Sequence, residues 1–500
     1  PMPGRGAAGT EQPETPACSG VPAAVPAGTS TDASPFDFHR RHVGRFSAAE
    51  RTELAHTKRF LECVLGDGEF RAALGAGGDA ARQACLGRGL KAKPADLEPL
   101  WRHGTVFEVP TDEASRYPAV ALWIEWLGGL LRFRDLLREH GRTPECHPAF
   151  DAWRLRQIAR GRRELGPPSP AITHPVIAFE LSKGCTFGCW FCGISAASYE
   201  GHLPYDGAGR ALWRDVLASA ASLLGPAMQT GTCYWATDPS DNPDYTRFLD
   251  DFREITGALP QTTTAGAIRD VRWTREVLAQ AATGPATPTR FSVLSNGMLR
   301  RIHETFAAEE LLSVELVLHN PESALGVARS GRALGREARR VSDTQGTIAC
   351  LSGYLVNMVD RSVALLSPCN ASERWPLGYR VHARGRFANA AELRAFLEET
   401  ATTCMPLHLR GEDPLAFRPG IEHASTPDGF ALSSRFTRQE FSGGATARRL
   451  GPLIAAGGSC VGEAIGTLAG EGLDVLAATA LLQSLFDCGV LDDELSGSWG

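Results

Sequence analysis

Lys183-Gly-Cys-Thr-Phe-Gly-Cys-Trp-Phe-Cys192 is the stretch from which the rest of the chain is read. Cys185, Cys189 and Cys192 have the spacing C-x-x-x-C-x-x-C, in a loop that holds Gly184 and Gly188 and follows a strand-like run, Ile177-Ala-Phe-Glu-Leu181. Three thiolates suit three irons of a four-iron four-sulfur cubane, and a missing fourth leaves one iron open to a small molecule. A structural zinc site wants four closed ligands, commonly two C-x-x-C pairs, and no second pair lies nearby. None of the 13 histidines forms a ligand pair at metal spacing.

Outward from the loop, strand-like runs alternate with helical ones. Ile177–Leu181, Thr232–Ala236, Gln261–Ala265, Arg290–Leu294, Val314–Leu318 and Ser362–Leu366 read as six strands, with helical patterns near 209–224, 243–257, 273–282 and 298–311. Successive βα units of this kind build a parallel sheet. Six units are too few for a closed eight-unit barrel, so the expected fold is α/β, a partial (βα)6 barrel over 171–410, with chemistry at the C-terminal ends of the strands. Before it, 47–150 reads as a separate helical unit, from steps such as Phe60, Leu61, Val64 and Leu65. Arg154 to Pro170, charged and then rich in Pro and Gly, reads as a linker. Residues 1–46 read as a disordered tail, because Pro1–Ala33 is rich in Pro, Ala, Gly, Ser and Thr. Over 415–500, short strand-like runs precede three helical ones and an apolar close at Gly489-Val-Leu491, the pattern of a small winged-helix-like module.

Composition narrows the class. At 500 residues and 43% hydrophobic the chain can bury a large core. The net charge of −6 and the absence of a lysine and arginine block give no case for a nucleic-acid or anionic-membrane partner. The most apolar run, Ala119 to Phe133, is broken by Glu125 and Gly128-Gly129 and falls short of the roughly 20 residues that span a bilayer. Thirteen cysteines without a secretory-type start fit metal ligands and a working thiol in a reducing cytoplasm better than a disulfide framework.

The cysteine loop resembles that of the radical S-adenosylmethionine superfamily, whose signature also has an aromatic residue before the last cysteine, here Phe191. The resemblance implies a [4Fe-4S] cluster on Cys185, Cys189 and Cys192. It also implies S-adenosyl-L-methionine on the open iron, cleaved by one electron to a 5′-deoxyadenosyl radical. Where that superfamily has a Gly-Gly-Glu-Pro-like motif holding the cofactor's amino group, this chain has Ala236-Thr-Asp-Pro239, so Ala236, Thr237 and Asp238 are the matching positions, with a carboxylate one carbon shorter. Ser292, Ser295 and Asn296 are available to grip the ribose, although Ser295-Asn-Gly297 also reads as a turn.

Three segments narrow the resemblance: Phe179–Ser195, Tyr234–Tyr245, and Ser367-Pro-Cys-Asn-Ala-Ser-Glu-Arg-Trp-Pro-Leu-Gly-Tyr-Arg380. Together they are similar to the proteusin-type radical epimerases, which convert L to D residues in ribosomally made peptides. That likeness implies Cys369 as the thiol returning hydrogen, at a strand end near the barrel mouth, with Glu373, Arg374 and Arg380 able to anchor peptide or cofactor or to form a salt-bridged loop. It also implies a precursor peptide, leader plus core, and an external electron donor such as flavodoxin or ferredoxin. Peptide crosslinking and a non-catalytic leader-binding scaffold are the alternatives. The 415–500 pattern resembles PqqD-like leader-recognition modules, which take an extended leader at a sheet edge. Phe60–Leu74 with Pro94–Trp101 resembles the helical leaders of nitrile-hydratase-type precursors. Cys233, Cys350 and Cys404 remain open as other donors or as ligands of an auxiliary cluster.

Overall fold

A computed structural model describes residues 34–103, 108–166, 169–326, 328–334 and 346–493. They form a mixed α/β protein that divides into two compact units, one ending at Leu407 and the other beginning at His408. Of the tail expected over 1–46, residues 1–33 lie outside the described residues, and Pro35–Gly44 is helix α1, not tail. Ser34 caps it, Pro35 fits its first turn, and Phe36 packs edge-on against Phe133.

Helices α2 (Ala48–Gly66), α3 (Gly68–Ala76), α4 (Gly78–Gly87), α5 (Glu98–Arg102), α6 (Thr111–Ala114) and α7 (Pro118–His140) follow. A capping box between Ser47 and Glu50 starts α2, and a buried core including Phe60, Phe70, Trp123 and Trp126 joins these helices. These helices belong to the same compact unit as the sheet that follows. Helix α8 (Pro148–Leu165) occupies most of the expected linker. Its charge misleads because the cations turn inward onto partners: Arg154 donates to the carbonyl of His174, Arg156 to that of Pro406, and Arg160 to Glu164.

The strands of the first unit are β1 (Ile177–Glu180), β2 (Ser182–Lys183), β3 (Gly201–His202), β4 (Thr263–Thr264), β5 (Arg290–Val293), β6 (Glu315–Leu318), β7 (Gly353–Asn357), β8 (Ser362–Pro368) and β9 (Tyr379–Arg386). A parallel run reads β6-β5-β4, continues through Gln261 and Thr232, and reaches β1 and β7. Helices α9 (Gly207–Leu224), α10 (Tyr245–Thr256), α11 (Val271–Ala282) and α12 (Asn296–Thr305) fall between these segments, close to the expected ranges except that α12 stops at Thr305 where the expectation ran to 311, and α13 (Ala390–Cys404) follows β9. Alternation on β1 sends Ile177 and Phe179 into the core with Trp213 and Phe252, and Ala178 to the other face, in a cluster with Trp235 and Leu366.

The sixth expected strand is present as β8, but not as the sixth member of a (βα)6 series. It runs antiparallel to β7, which occupies the place beside β1, and β9 extends the sheet antiparallel again. A short connection, with Arg361 at φ 57°, turns β7 back on itself and leaves no room for a crossover helix.

The second unit contains β10 (Pro414–Leu415), a three-stranded antiparallel sheet of β11 (Glu422–Thr426), β12 (Gly429–Ser433) and β13 (Arg438–Ser442), helix α14 (Gly444–Ala456), β14 (Ser459–Cys460), and helices α15 (Val461–Gly470) and α16 (Val475–Asp487). Phe430 and Leu432 pack on Leu450 and Ile454 in its core, and Leu491 closes it by pairing with Phe417. Among the described residues no helix is long and apolar enough to cross a membrane.

Candidate functional site

The cysteine loop leaves β1 at the C-terminal edge of the parallel run. Gly184 (φ 72°) is where the loop leaves the strand pair, and a Cβ there would lie 2.1 Å from the carbonyl oxygen of Ser198. Cys185, Cys189 and Cys192 are half-buried free thiols. Backbone N–H groups reach two of the sulfurs, Phe187 to Cys185 Sγ at 3.5 Å and Ala196 to Cys192 Sγ at 3.4 Å. Burial pushes the Cys185 thiol up to about 12 and raises that of Cys189, which favours the neutral thiols.

Among the described residues no group of three His, Cys, Asp or Glu side chains is gathered closely enough to hold a metal ion. The donor set nevertheless suits a cubane, because each thiolate there binds a different iron and the sulfurs need not converge on one centre. Half-burial and N–H groups aimed at sulfur are the surroundings such a cluster takes.

The expected cofactor positions divide. Ala236 and Thr237 are half-buried beside the loop. Asp238 is 5% exposed, and its carboxylate is fully engaged: it accepts from Ser240 N and Oγ (2.9 and 2.6 Å), Thr264 Oγ1 (2.7 Å) and Ala265 N (2.6 Å). Burial raises its pKa against those hydrogen bonds. Phe191 is stacked on His319, just past β6, with ring centroids 4.5 Å apart. Burial lowers His319 to about 4, so its ring is neutral at pH 7. Ser292 faces away from the buried side of β5 that carries Phe291 and Val293. Ser295 and Asn296 serve α12 locally: Ser295 caps it through Met298 N, and Asn296 is its first residue.

Cys369 is 1% exposed. The expectation that it lies at the C-terminal ends of the parallel strands is corrected by the direction of β8, whose C-terminal end is level with the start of β1: Leu366 pairs with Gly353, and Tyr354 with Ile177. A seam of close backbone contacts still connects it to the cysteine loop. Arg332 N donates to Cys192 O (3.0 Å), Gly331 N to Pro376 O (2.8 Å), and Cys369 N to Gly378 O (3.0 Å). Gly331 (φ 54°) permits this, since a Cβ would lie 2.5 Å from Gly193 O and 2.6 Å from Cys192 O. The buried Ser330 hydroxyl, which has no hydrogen-bond partner among the described residues, lies against Gly193 in the same seam. Glu164 holds Arg380 at 2.8 Å, and Arg374 lies over the Trp375 ring. Cys233 is in the core between sheet and helices, Cys350 lies on the opposite face of the sheet, and Cys404 ends α13.

Four contributors were not foreseen from the sequence. Glu180, 6% exposed, accepts from Ala236 N (2.7 Å) and Asn357 Nδ2 (3.0 Å), and burial, which outweighs those bonds, pushes it up to about 7. A lone acid in an apolar strand is the signal that marks it. Asp241 and Arg269 grip Thr186 inside the cysteine loop. His319 covers Phe191; neither it nor Arg269 lies in a motif.

Comparison with known proteins gives three likenesses. Residues 415–489 match the family described as the y4wI C-terminal domain. Over 468 residues, 92% of this chain and 91% of the relative, the chain is 40% identical to the uncharacterized protein y4wI of Sinorhizobium fredii. Among solved structures, that of BtrN in complex with AdoMet and 2-DOIA shares 16% identity at a TM-score of 0.28, covering 38% of this chain and 72% of that one. A superposition that loose decides neither fold nor chemistry.

Proposed function

The chain belongs to the y4wI family, and for this member we propose a radical S-adenosylmethionine enzyme that inverts L residues to D in a ribosomally made precursor peptide. The observation that carries the reading is the loop with three thiols at the C-terminal edge of the parallel strands, flanked by the 236–238 turn and by the seam leading to Cys369. Cys185, Cys189 and Cys192 would hold the [4Fe-4S] cluster, with Phe191, Ala236, Thr237 and Ser292 around S-adenosyl-L-methionine. When bound, these groups supply one electron and a carbon-centred radical able to take hydrogen.

The chain's own residues then have defined tasks. With the Asp238 carboxylate engaged, the carbonyls of Ala236 and Thr237 are the acceptors left for an ammonium group. Loss of hydrogen from a peptide α-carbon leaves a near-planar radical, and inversion needs a hydrogen atom delivered to the opposite face. The Cys369 S–H supplies it: the sulfur–hydrogen bond breaks, the α-carbon–hydrogen bond forms, and the sulfur radical is restored to the thiol by one electron from a flavodoxin- or ferredoxin-type donor and one proton from water. The neutral thiol is the useful form, and Cys369 is buried from solvent. The unit from His408 onward would take the leader as an added strand at an edge of the β11-β12-β13 sheet.

The test is mass spectrometry of a precursor peptide after anaerobic reaction in deuterium oxide, for wild type and Cys369→Ala. The reading expects one deuterium per inverted residue, lost in the variant. A peptide that loses two hydrogens would show crosslinking instead, and a peptide unchanged by the wild type would refute the activity.

A further inference from the structure

Thr186 lies between the first two cysteines of the loop and is exposed, yet it is tied at two points. Its N–H donates to Asp241 Oδ2 at 3.0 Å and its hydroxyl to Asp241 Oδ1 at 2.6 Å, and the Asp241 side chain is 1% exposed. Arg269 closes the arrangement from the turn after β4. Its Nη1 donates to Thr186 Oγ1 (2.7 Å), and its Nη2 donates to Asp241 Oδ1 (2.9 Å), Ser240 O (2.5 Å) and Ser240 Oγ (2.7 Å). The guanidinium also stands 4.8 Å over the ring of Phe187, the next residue of the loop. Ser240 Oγ in turn donates to Asp238, and Gly266 is what admits it, since a Cβ there would lie 2.1 Å from that oxygen.

An exposed ion pair contributes little, and nothing would follow if Arg269 and Asp241 were only that. Here the carboxylate is buried, the bonds are charge-assisted, and every partner is on the cysteine loop or on the turn beside it. Groups one step behind the ligands orient them and, when charged, tune the potential of what they hold.

We propose that Asp241 and Arg269 are positioning residues, a strap that fixes the Cys185–Cys189 segment against the 238–241 turn and sets both the retention and the reduction potential of the cluster. The proposal rests on the reading of the loop as a cluster site. Its chemistry separates the two side chains. Arg269 places a positive charge beside a centre that becomes more negative on reduction, so its removal lowers the potential; removal of the Asp241 charge raises it.

The experiment compares full-length wild type, Arg269→Gln, Arg269→Lys and Asp241→Asn. In the metal-free proteins, hydrogen exchange of the Thr186 and Phe187 amides is expected to quicken about tenfold or more in Arg269→Gln and Asp241→Asn, as for an opening eased by a lost charged hydrogen bond. After anaerobic reconstitution both should retain less iron under chelator challenge, with midpoint potentials displaced in opposite directions. Arg269→Lys, which keeps the charge and loses the fork, should stay near the wild-type potential while losing iron. Wild-type exchange, iron retention and potential in all variants would overturn the strap. Faster exchange in the variants of a wild type that binds no iron would keep the strap and refute the cluster reading and the tuning role together.

Discussion

Glu180 is the one acid in a strand otherwise made of Ile177, Ala178 and Phe179, and its surroundings explain why it is tolerated. Ala236 N and Asn357 Nδ2 each give it a hydrogen bond, while the phenol of Tyr379 lies near enough to be raised by its charge, after burial. Burial nevertheless dominates and lifts the carboxyl from 4.5 to about 7, a displacement worth on the order of 3 kcal/mol between the two protonation states. A carboxyl whose pKa is higher folded than unfolded contributes most to stability below its unfolded value, and that contribution is lost as pH rises through about 7. The melting temperature of Glu180→Gln relative to wild type should therefore rise between pH 5 and pH 8. Thermal unfolding at both values measures this, and an offset independent of pH would contradict it. The acid was visible in the sequence. Its partners were not, because Asn357 is 177 residues away along the chain and only the fold brings them together.

At the scale of elements, the cysteine loop was legible because its spacing is local, and the helices between strands because their apolar period is local too. The direction of β8 was not: alternation reads alike in parallel and antiparallel strands, and what decides is the short turn after β7. Helix α8 was misread because charge usually marks solvent, whereas Arg154 is fully buried with its guanidinium on the His174 carbonyl. Gly331 gives the element-scale prediction. Alanine there would face an unfavourable φ of 54° and place its Cβ 2.6 Å from the Cys192 carbonyl, so the loop or the 331–334 turn must shift. Gly331→Ala should retain less iron after reconstitution than wild type while melting within a few degrees of it. Iron retention equal to the wild type would show that the seam does not hold the loop.

For the whole molecule, the described residues from His408 onward form their own compact unit. The N-terminal helices read as separate because most of the apolar residues of their shared core come from these helices themselves. Ala308 and Leu312 nevertheless join that core, Leu65 packs on the cluster of Leu299 and Leu318, and polar contacts that periodicity does not reveal add to them: Asn320 Nδ2 to Gly66 O (2.7 Å), Ala324 N to Leu65 O (2.7 Å), and Arg59 to Phe306 O (2.6 Å). The first two fix the segment that continues from His319, whose ring covers Phe191 in the cysteine loop. The central claim is that this loop holds a cluster with one open iron, and electron paramagnetic resonance of the anaerobically reconstituted, reduced protein with and without S-adenosyl-L-methionine tests it most directly. A [4Fe-4S]+ signal that changes on adding S-adenosyl-L-methionine, and is absent when Cys185, Cys189 and Cys192 are all replaced by Ala, is the predicted result; no signal in the wild type, or one that survives the triple replacement, would contradict the account.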